Sequence, residues 1–324
     1  TLTGRAMRTV LPIKETPRRA TSTLPIRNAC LHNLKHVDVD IPLGIMTVVT
    51  GVAGSGKSTL VAQVFAKIYG DQVVMVDQGP ITATNRSTPA SYLGFFDKIR
   101  KLLAKENGKP DALFSFNSDG ACPVCGGKGV IVTELAFMDP IVTECEACGG
   151  VRYNQEALVC TYKGKNIVEL LNLTASQALN LFDSPKIKKH LRVMQQVGLG
   201  YLTLGQPLST LSGGERQRLK LAKNLDKKGS IFIMDEPTTG LHMSDIENPL
   251  MLFDAIVSRG NTLVVIEHNL DVMKQADWII DIGPDGGKNG GEVVFTGTPM
   301  EMIQSAKTLT ADSLRSSCTI SGSL

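Results

Sequence analysis

An α/β fold organised around a strand–turn–helix unit, with a cysteine-bearing hairpin inserted between its two parts, is the architecture the sequence predicts, on three observations. The β-branched run IMTVVT (45 to 50) passes through the glycine-rich turn GVAGSGKST (51 to 59) into LVAQVFAKIY (60 to 69), which has helical spacing. Two more apolar runs end on polar side chains, in SIFIMDEPTTGLH (230 to 242) and NTLVVIEH (261 to 268). Between these blocks stand two CxxC pairs, Cys122/Cys125 and Cys145/Cys148.

With 324 residues and 42% hydrophobic content, the chain can bury a large core in one to three domains, at about 100 to 200 residues each. No apolar run is long enough for a membrane span and no secretory pattern opens the chain, so the expected location is cytoplasmic, without a membrane partner. A net charge of +3 permits a nucleic-acid partner without demanding one. Seven cysteines, four of them in CxxC pairs, suggest metal ligation before disulfides in a reducing compartment. Cys30, Cys160 and Cys318 stand alone and read as small hydrophobes.

The first turn has the form of a P-loop. Gly51, Gly54 and Gly56 let backbone N–H groups turn in on phosphate oxygens, Lys57 reaches the β- and γ-phosphates, Ser58 offers its hydroxyl to Mg²⁺, and Thr59 completes the set that binds ATP. After the strand at 230 to 234, Asp235 can hold the magnesium shell while Glu236 orients or deprotonates the attacking water. His268 ends another strand of the same pattern and can contact the γ-phosphate. A second anion cradle, LSGGERQR (211 to 218), places a glycine pair at the start of a basic helix.

GVAGSGKST, Gln78 in VDQGP, LSGGERQR, MDEPTTGLH and VIEHNLD occur in the order found in ATP-binding-cassette ATPases, and the chain resembles that family over nearly its whole length. The resemblance implies an ABC-type P-loop cassette in which ATP lies between the P-loop of one cassette and the signature of another. Ser212, Gly213 and Gly214 would then grip the γ-phosphate of ATP held by a partner cassette, and Gln78 would join Glu236 and His268 as a catalytic residue. Transporter cassettes stack adenine on an aromatic residue upstream of the P-loop. No Phe, Tyr or Trp precedes Phe65 here, so Ile26 or Arg27 is expected to cover the base.

The stretch from Gln78 to Leu211 is longer than the helical arm of a transporter cassette. CPVC (122 to 125) and CEAC (145 to 148) fit a tetrahedral Cys₄ zinc site whose intervening segment, residues 126 to 144, reads as a hairpin. Such a zinc commonly only staples the fold. VDQGPITATNRSTPASYLGFFDKIRKL, FSFNSDGACPVCGGKGV, CEACGGVRYN, TYKGKNI, VGLGYLTLGQPLSTLSGGERQR and VIEHNLDVMKQADWIIDIGPDGG are similar to the second nucleotide-binding half of the UvrA family, from about residue 24 to 299. Two departures are Arg216, where that family usually has Ala, and GPITATNRS, which lacks some of its basic residues. The resemblance implies ATP-driven recognition of damaged double-stranded DNA in nucleotide-excision repair, with the excinuclease protein UvrB and a second cassette as partners. A paralogue protecting its producer from a DNA-binding antibiotic would share every motif. The rivals of other classes are a transporter subunit, which the Cys₄ insert opposes, and a dead scaffold, which intact Lys57, Asp235, Glu236 and His268 oppose.

The hairpin between the cysteine pairs carries Lys128 but also Glu134, Asp139 and Glu144, so it is no basic finger. Arg152, Lys163, Lys165 and KIKKH (186 to 190) are better placed to meet phosphates, although a charge run is usually a solvated face. Phe137 and Met138 can probe base stacking or pack against a neighbour. The expected layout is a seam from a preceding unit over 1–20, a P-loop lobe over 21–100, an insertion over 101–225 with a zinc module at about 114–152, a second lobe over 226–305 and a tail over 306–324. TLTGRAMR at the start is matched by TLTADSLR (308 to 315), as in a tandem of which these residues form the C-terminal half.

Overall fold

The computed structural model describes residues 11–77, 79, 81, 86–135, 138–225, 227–239 and 246–319. They form two compact units, Thr1–Gln78 with Asn224–Leu324, and Gly79–Lys223. In chain order, the first unit contributes β1 (Thr23–Ala29), β2 (Val37–Pro42), β3 (Met46–Gly51) and β4 (Val73–Val76). The second contributes β5 (Val130–Leu135) and β6 (Met138–Glu144), and the first resumes with β7 (Ile231–Asp235), β8 (Thr262–Ile266), β9 (Trp278–Gly283) and β10 (Glu292–Gly297).

The first unit is a six-stranded sheet in the order β10-β9-β3-β8-β7-β4. Strands β9, β3, β8, β7 and β4 run parallel, and β10 turns back antiparallel at the edge. Every residue of β3 and β8 is buried, which is why these segments are unbroken apolar runs: a central parallel strand is covered on both faces. β1 and β2 form a separate antiparallel pair. In β2 the residues alternate, Val37 and Val39 inward and Asp38 and Asp40 outward, and the inward set packs with Leu60, Val61 and Phe65 against Val49, Ile233 and Val264 of the sheet. Because the parallel strands all end on one side, Gly51, Asp235 and Ile266 lead into loops on a common edge. Among the described residues no helix is long and apolar enough to cross a membrane.

The second unit is mainly helical, with helices at Phe96–Asn107, Ile167–Asn172, Ala175–Leu181 and Pro185–Gln196. Asn166 with Glu169, and Thr174 with Gln177, form reciprocal capping boxes, so both short helices start where the side chains satisfy otherwise orphaned N–H groups. β5 and β6 pair antiparallel from Val130↔Glu144 to Leu135↔Met138, the hairpin expected between the cysteine pairs.

Two boundaries differ from the expected layout. The unit changes at 78/79 rather than near 100, because helix Phe96–Asn107 buries Phe96, Ile99 and Leu103 within the second unit. Within the expected tail, Leu309–Thr319 forms a packed helix: Ala311 and Leu314 are fully buried and Arg315 Nε donates to Ile303 O at 2.7 Å. The counterpart of its TLTADSLR segment, at 1 to 8, lies outside the described residues.

Part of the expected seam is fixed to the sheet. Asp277 is a buried carboxylate just before β9; its Oδ1 pairs with Lys14 Nζ at 2.7 Å and accepts the Arg18 N–H at 2.8 Å, and its Oδ2 accepts the Met46 N–H at 2.9 Å. Arg18 also pairs with Asp254 at 2.6 Å. Asp277→Ala strands the Met46 N–H and removes the counter-charge of two cations that still reach water, so it should lower stability by about 3 kcal/mol, read from urea unfolding.

Candidate nucleotide and metal sites

The P-loop begins where β3 meets its neighbour. Gly51 has φ of 134°, and a Cβ there would stand 2.0 Å from the Ile282 carbonyl oxygen of β9, so only glycine lets the chain turn here. Gly54 is held from two sides: its carbonyl accepts from Asn33 Nδ2 at 3.0 Å and from the Gly287 N–H at 3.0 Å, and Asn33 Nδ2 also lies 3.2 Å from Gly287 O. Gly56 is packed against Leu34 and Asn33. Lys57 is 6% exposed and donates to Gly51 O at 3.1 Å and Val52 O at 2.8 Å. Burial lowers its pKa, and the charges of Glu236, Asp235 and Asp281 act in the opposite direction. Phosphate oxygens arriving at the loop offer Lys57 charged acceptors in place of neutral carbonyls. Thr59 opens the helix Thr59–Phe65 directly behind the loop.

Ser58 Oγ is 3.4 Å from Asp235 Oδ2, which brings together the hydroxyl and carboxylate expected to hold a magnesium ion. Burial is the first cause that raises the Asp235 pKa and the charge of Glu236 the second, while Ser58 and Lys57 oppose them. A divalent cation here would relieve both causes, as the donor set requires. Glu236 has φ of 44°, a costly left-handed conformation for a side-chain-bearing residue, and its N–H donates to Ile266 O at 2.9 Å. Its Oε1 lies 3.5 Å from His268 Nε2, and its Oε2 accepts from Thr239 Oγ1 at 3.2 Å. Lys57, Ser58, Asp235, Glu236 and His268 therefore gather on one edge of the sheet. Gln78 lies outside the described residues.

Three residues of this edge were not singled out in the sequence. Asn33 braces the P-loop, Asp281 lies buried beside it in register with Thr50, and Glu267 is a buried carboxylate immediately before His268. The signal available for Glu267 was a charge at the end of an otherwise apolar strand. The expectation for the base fails in part: Ile26 is fully buried in the core between β1–β2 and the sheet and cannot cover adenine. Arg27 pairs with Asp40 at 2.7 Å and lines a groove of about 930 Å³ with Ile45, Asp277 and Trp278, at the beginnings of β3 and β9, away from the P-loop.

The signature residues Ser212, Gly213 and Gly214 belong to the second unit and open the helix Gly213–Asn224. Ser212 Oγ accepts the Glu215 N–H at 3.3 Å, and Glu215 Oε2 accepts the Ser212 N–H at 2.7 Å, a reciprocal cap. Tyr201 holds the other carboxylate oxygen of Glu215 at 2.7 Å. Burial raises the Glu215 pKa, but the Tyr201 and Ser212 hydrogen bonds outweigh it, and the net shift is downward. This cap uses the N–H groups of Ser212 and Glu215 and leaves those of Gly213 and Gly214, with the Ser212 hydroxyl hydrogen, for an anion.

In the same unit the sulfur atoms of Cys122, Cys125, Cys145 and Cys148 lie within 4.8 Å of one another. Cys125 and Cys148 are 3.8 Å apart, which matches the sulfur separation of about 3.8 Å across a tetrahedron of Zn–S bonds near 2.3 Å. Gly127, next to the first pair, has φ of 73° and no room for a Cβ, which would sit 1.8 Å from Phe116 O. Burial pushes the Cys125 thiol up, yet the Gly129 N–H and the neighbouring thiols bring it down to about 7. Burial and the same neighbours drive Cys148 up to about 12. Four sulfur atoms gathered this closely form a cluster suited to a dication.

The basic candidates divide. Arg152 is half-buried over the Phe116 ring at 5.2 Å, and Lys163 pairs with Asp183 at 2.5 Å and donates to Leu181 O, so both serve the fold of the unit. On helix Pro185–Gln196, Ile187 is buried and His190 stacks on Phe95, while Lys186 and Lys189 are exposed. Phe137 and the side chain of Met138 lie outside the described residues.

Comparison with known proteins agrees with this geometry. The family model for "ABC transporter" matches residues 34–239. UvrABC system protein A of Aquifex aeolicus (strain VF5) is 46% identical over 93% of this chain and 36% of its own length, and that of Staphylococcus aureus (strain COL) is 48% identical over 90% and 34%. The crystal structure of UvrA2 from Deinococcus radiodurans superposes with a TM-score of 0.88 at 42% identity, covering 96% of this chain and 41% of that one. The chain thus spans about a third of the length of these curated relatives. A P-loop, a Ser58–Asp235 pair, a Glu236–His268 pair and a capped signature helix, together with these similarities, mean that the chain belongs to the ATP-binding-cassette family and, within it, to the UvrA group.

Proposed function

We propose that the chain is an ATP-hydrolysing cassette of the UvrA type, acting on double-stranded DNA in damage recognition for nucleotide-excision repair. The observation that carries this reading is the convergence of Lys57, Ser58, Asp235, Glu236 and His268 on one edge of the parallel sheet. Lys57 and the loop N–H groups bind the triphosphate. Magnesium, held by Ser58 and Asp235, would neutralise charge on the phosphates when bound. Glu236 orients the attacking water and draws off its proton, and His268, within reach of that carboxylate, positions it and meets the γ-phosphate. Ser212, Gly213 and Gly214 are proposed to act in trans on ATP held by a second cassette, in the same chain or in a dimer mate.

Zinc is the metal we propose for the four-cysteine cluster, since an all-thiolate tetrahedron favours it over oxygen-seeking cations. The DNA reading rests on identity of 46% and 48% over at least 90% of the chain, a span that includes the unit with this cluster. The excinuclease protein UvrB is the protein partner proposed on the same ground.

The whole reading is tested by ATPase assays without DNA, with intact duplex and with duplex carrying a bulky adduct. Damaged duplex should change the rate more than intact duplex does, and equal rates under all three conditions would remove the DNA assignment. Glu236→Gln should keep ATP binding and slow turnover by about a hundredfold or more, since it deletes the water-positioning carboxylate and leaves the phosphate loop whole. Elemental analysis should find one zinc per chain, and Cys125→Ser should release it, because three thiolates no longer close a structural site.

A further inference from the structure

Glu267 takes no part in the proposed chemistry, yet its side chain is among the most fully bonded polar groups in the first unit. It is 3% exposed. Its Oε2 accepts the His268 N–H at 2.8 Å and the Asn269 N–H at 3.1 Å. Its Oε1 accepts the Thr238 N–H at 3.0 Å and, by a short bond, the Thr238 hydroxyl. Its own N–H donates to Val49 O at 3.1 Å, on β3 shortly before the P-loop. A buried carboxylate needs several donors to offset its lost hydration, and here all four come from two loops. One is the loop of His268; the other follows Glu236.

We infer that Glu267 is a positioning residue that clamps the Glu236 loop to the His268 loop, so that water-orienting carboxylate and imidazole keep one geometry. Three features make this more than core packing. The distance between Glu236 Oε1 and His268 Nε2, 3.5 Å, is set by two separate loops, and Glu236 sits in the left-handed region, a conformation that persists only where neighbours enforce it. Among the described residues of the Glu236 loop, Thr238 is the one that bonds Glu267. Both catalytic side chains are about half exposed, so their placement depends on the backbone of the loops that carry them. The inference rests on the ATPase reading given above.

Glu267→Gln tests it with no change of shape. A glutamine can present its oxygen to the His268 and Asn269 N–H groups, but its amide nitrogen then faces the Thr238 N–H, donor against donor. The variant should bind ATP within about twofold of wild type and lose tenfold or more in kcat, since a displacement near 1 Å suffices for such losses. Thr238→Ser should retain activity and Thr238→Val should lose it in part. In a Glu236→Gln background the further loss from Glu267→Gln should vanish, because the residue acts through that carboxylate. Amide exchange in segments 231–239 and 262–270 should accelerate together in Glu267→Gln, with the rest of the sheet unchanged. Unaltered kcat, losses that multiply in the double variant, or exchange that rises across the whole sheet would overturn the inference. If wild type hydrolyses no ATP, the ATPase reading falls, and joint or separate loosening of the two segments alone decides the clamp.

Discussion

Lys57 is a cation that water reaches poorly, and the carboxylates of Asp235, Glu236 and Asp281 are what oppose its loss of charge. They oppose it from two strands: Asp235 ends β7, Glu236 follows it, and Asp281 lies on β9. Such an arrangement needs the strands between and beside them to be parallel and in register, since a slip of one residue would turn Asp235 or Asp281 to the opposite face. The buried runs of β3 and β8 supply that constraint, and the β1–β2 pair and the helix behind the P-loop close the core beneath it. Charge balance at the edge and hydrophobic burial beneath it are thus two views of one sheet.

What could be seen in the sequence follows from range. The strand–turn–helix of 45 to 69 and the strands before Asp235 and His268 are local patterns, and each occupies the expected place. The two CxxC pairs are local as well, and the intervening residues pair as a hairpin. Asn33 and Asp281 were invisible because their partners are distant in the chain, and Glu267, signalled only by a charge ending an apolar strand, finds its decisive partner as far away. Asn33 meets Gly54 and Gly287, Asp281 lies in register with Thr50, and Glu267 meets Thr238. Nothing in a local window signals these distant partners. Ile26 failed as a base cover for a related reason: it was chosen only because no aromatic residue precedes Phe65, and only the fold shows that its side chain faces inward. The same holds for residues 306 to 319, whose polar composition conceals the few apolar side chains, Ala311 and Leu314, that fasten the helix.

Charge counting was likewise a weak guide to surface. Arg152 is half-buried over an aromatic ring, and Lys163, though exposed, is already engaged by an aspartate and a backbone carbonyl of its own unit. The cysteine cluster follows the opposite logic, since four side chains that repel one another as thiolates become a single cohesive element once a dication sits among them.

The cap on the signature helix carries a consequence for how such a site tolerates change. Ser212 and Glu215 satisfy each other, Tyr201 steadies the pair, and the donors left over are the main-chain groups of Gly213 and Gly214 and the Ser212 hydroxyl hydrogen. If the signature grips phosphate as proposed, apart from the Ser212 hydroxyl it does so through peptide N–H groups, which have no side chain to delete. Drift can alter it only by reshaping the turn that aims those groups, so the neighbours that shape the turn, rather than the atoms that touch phosphate, are where variation among relatives is most readily felt.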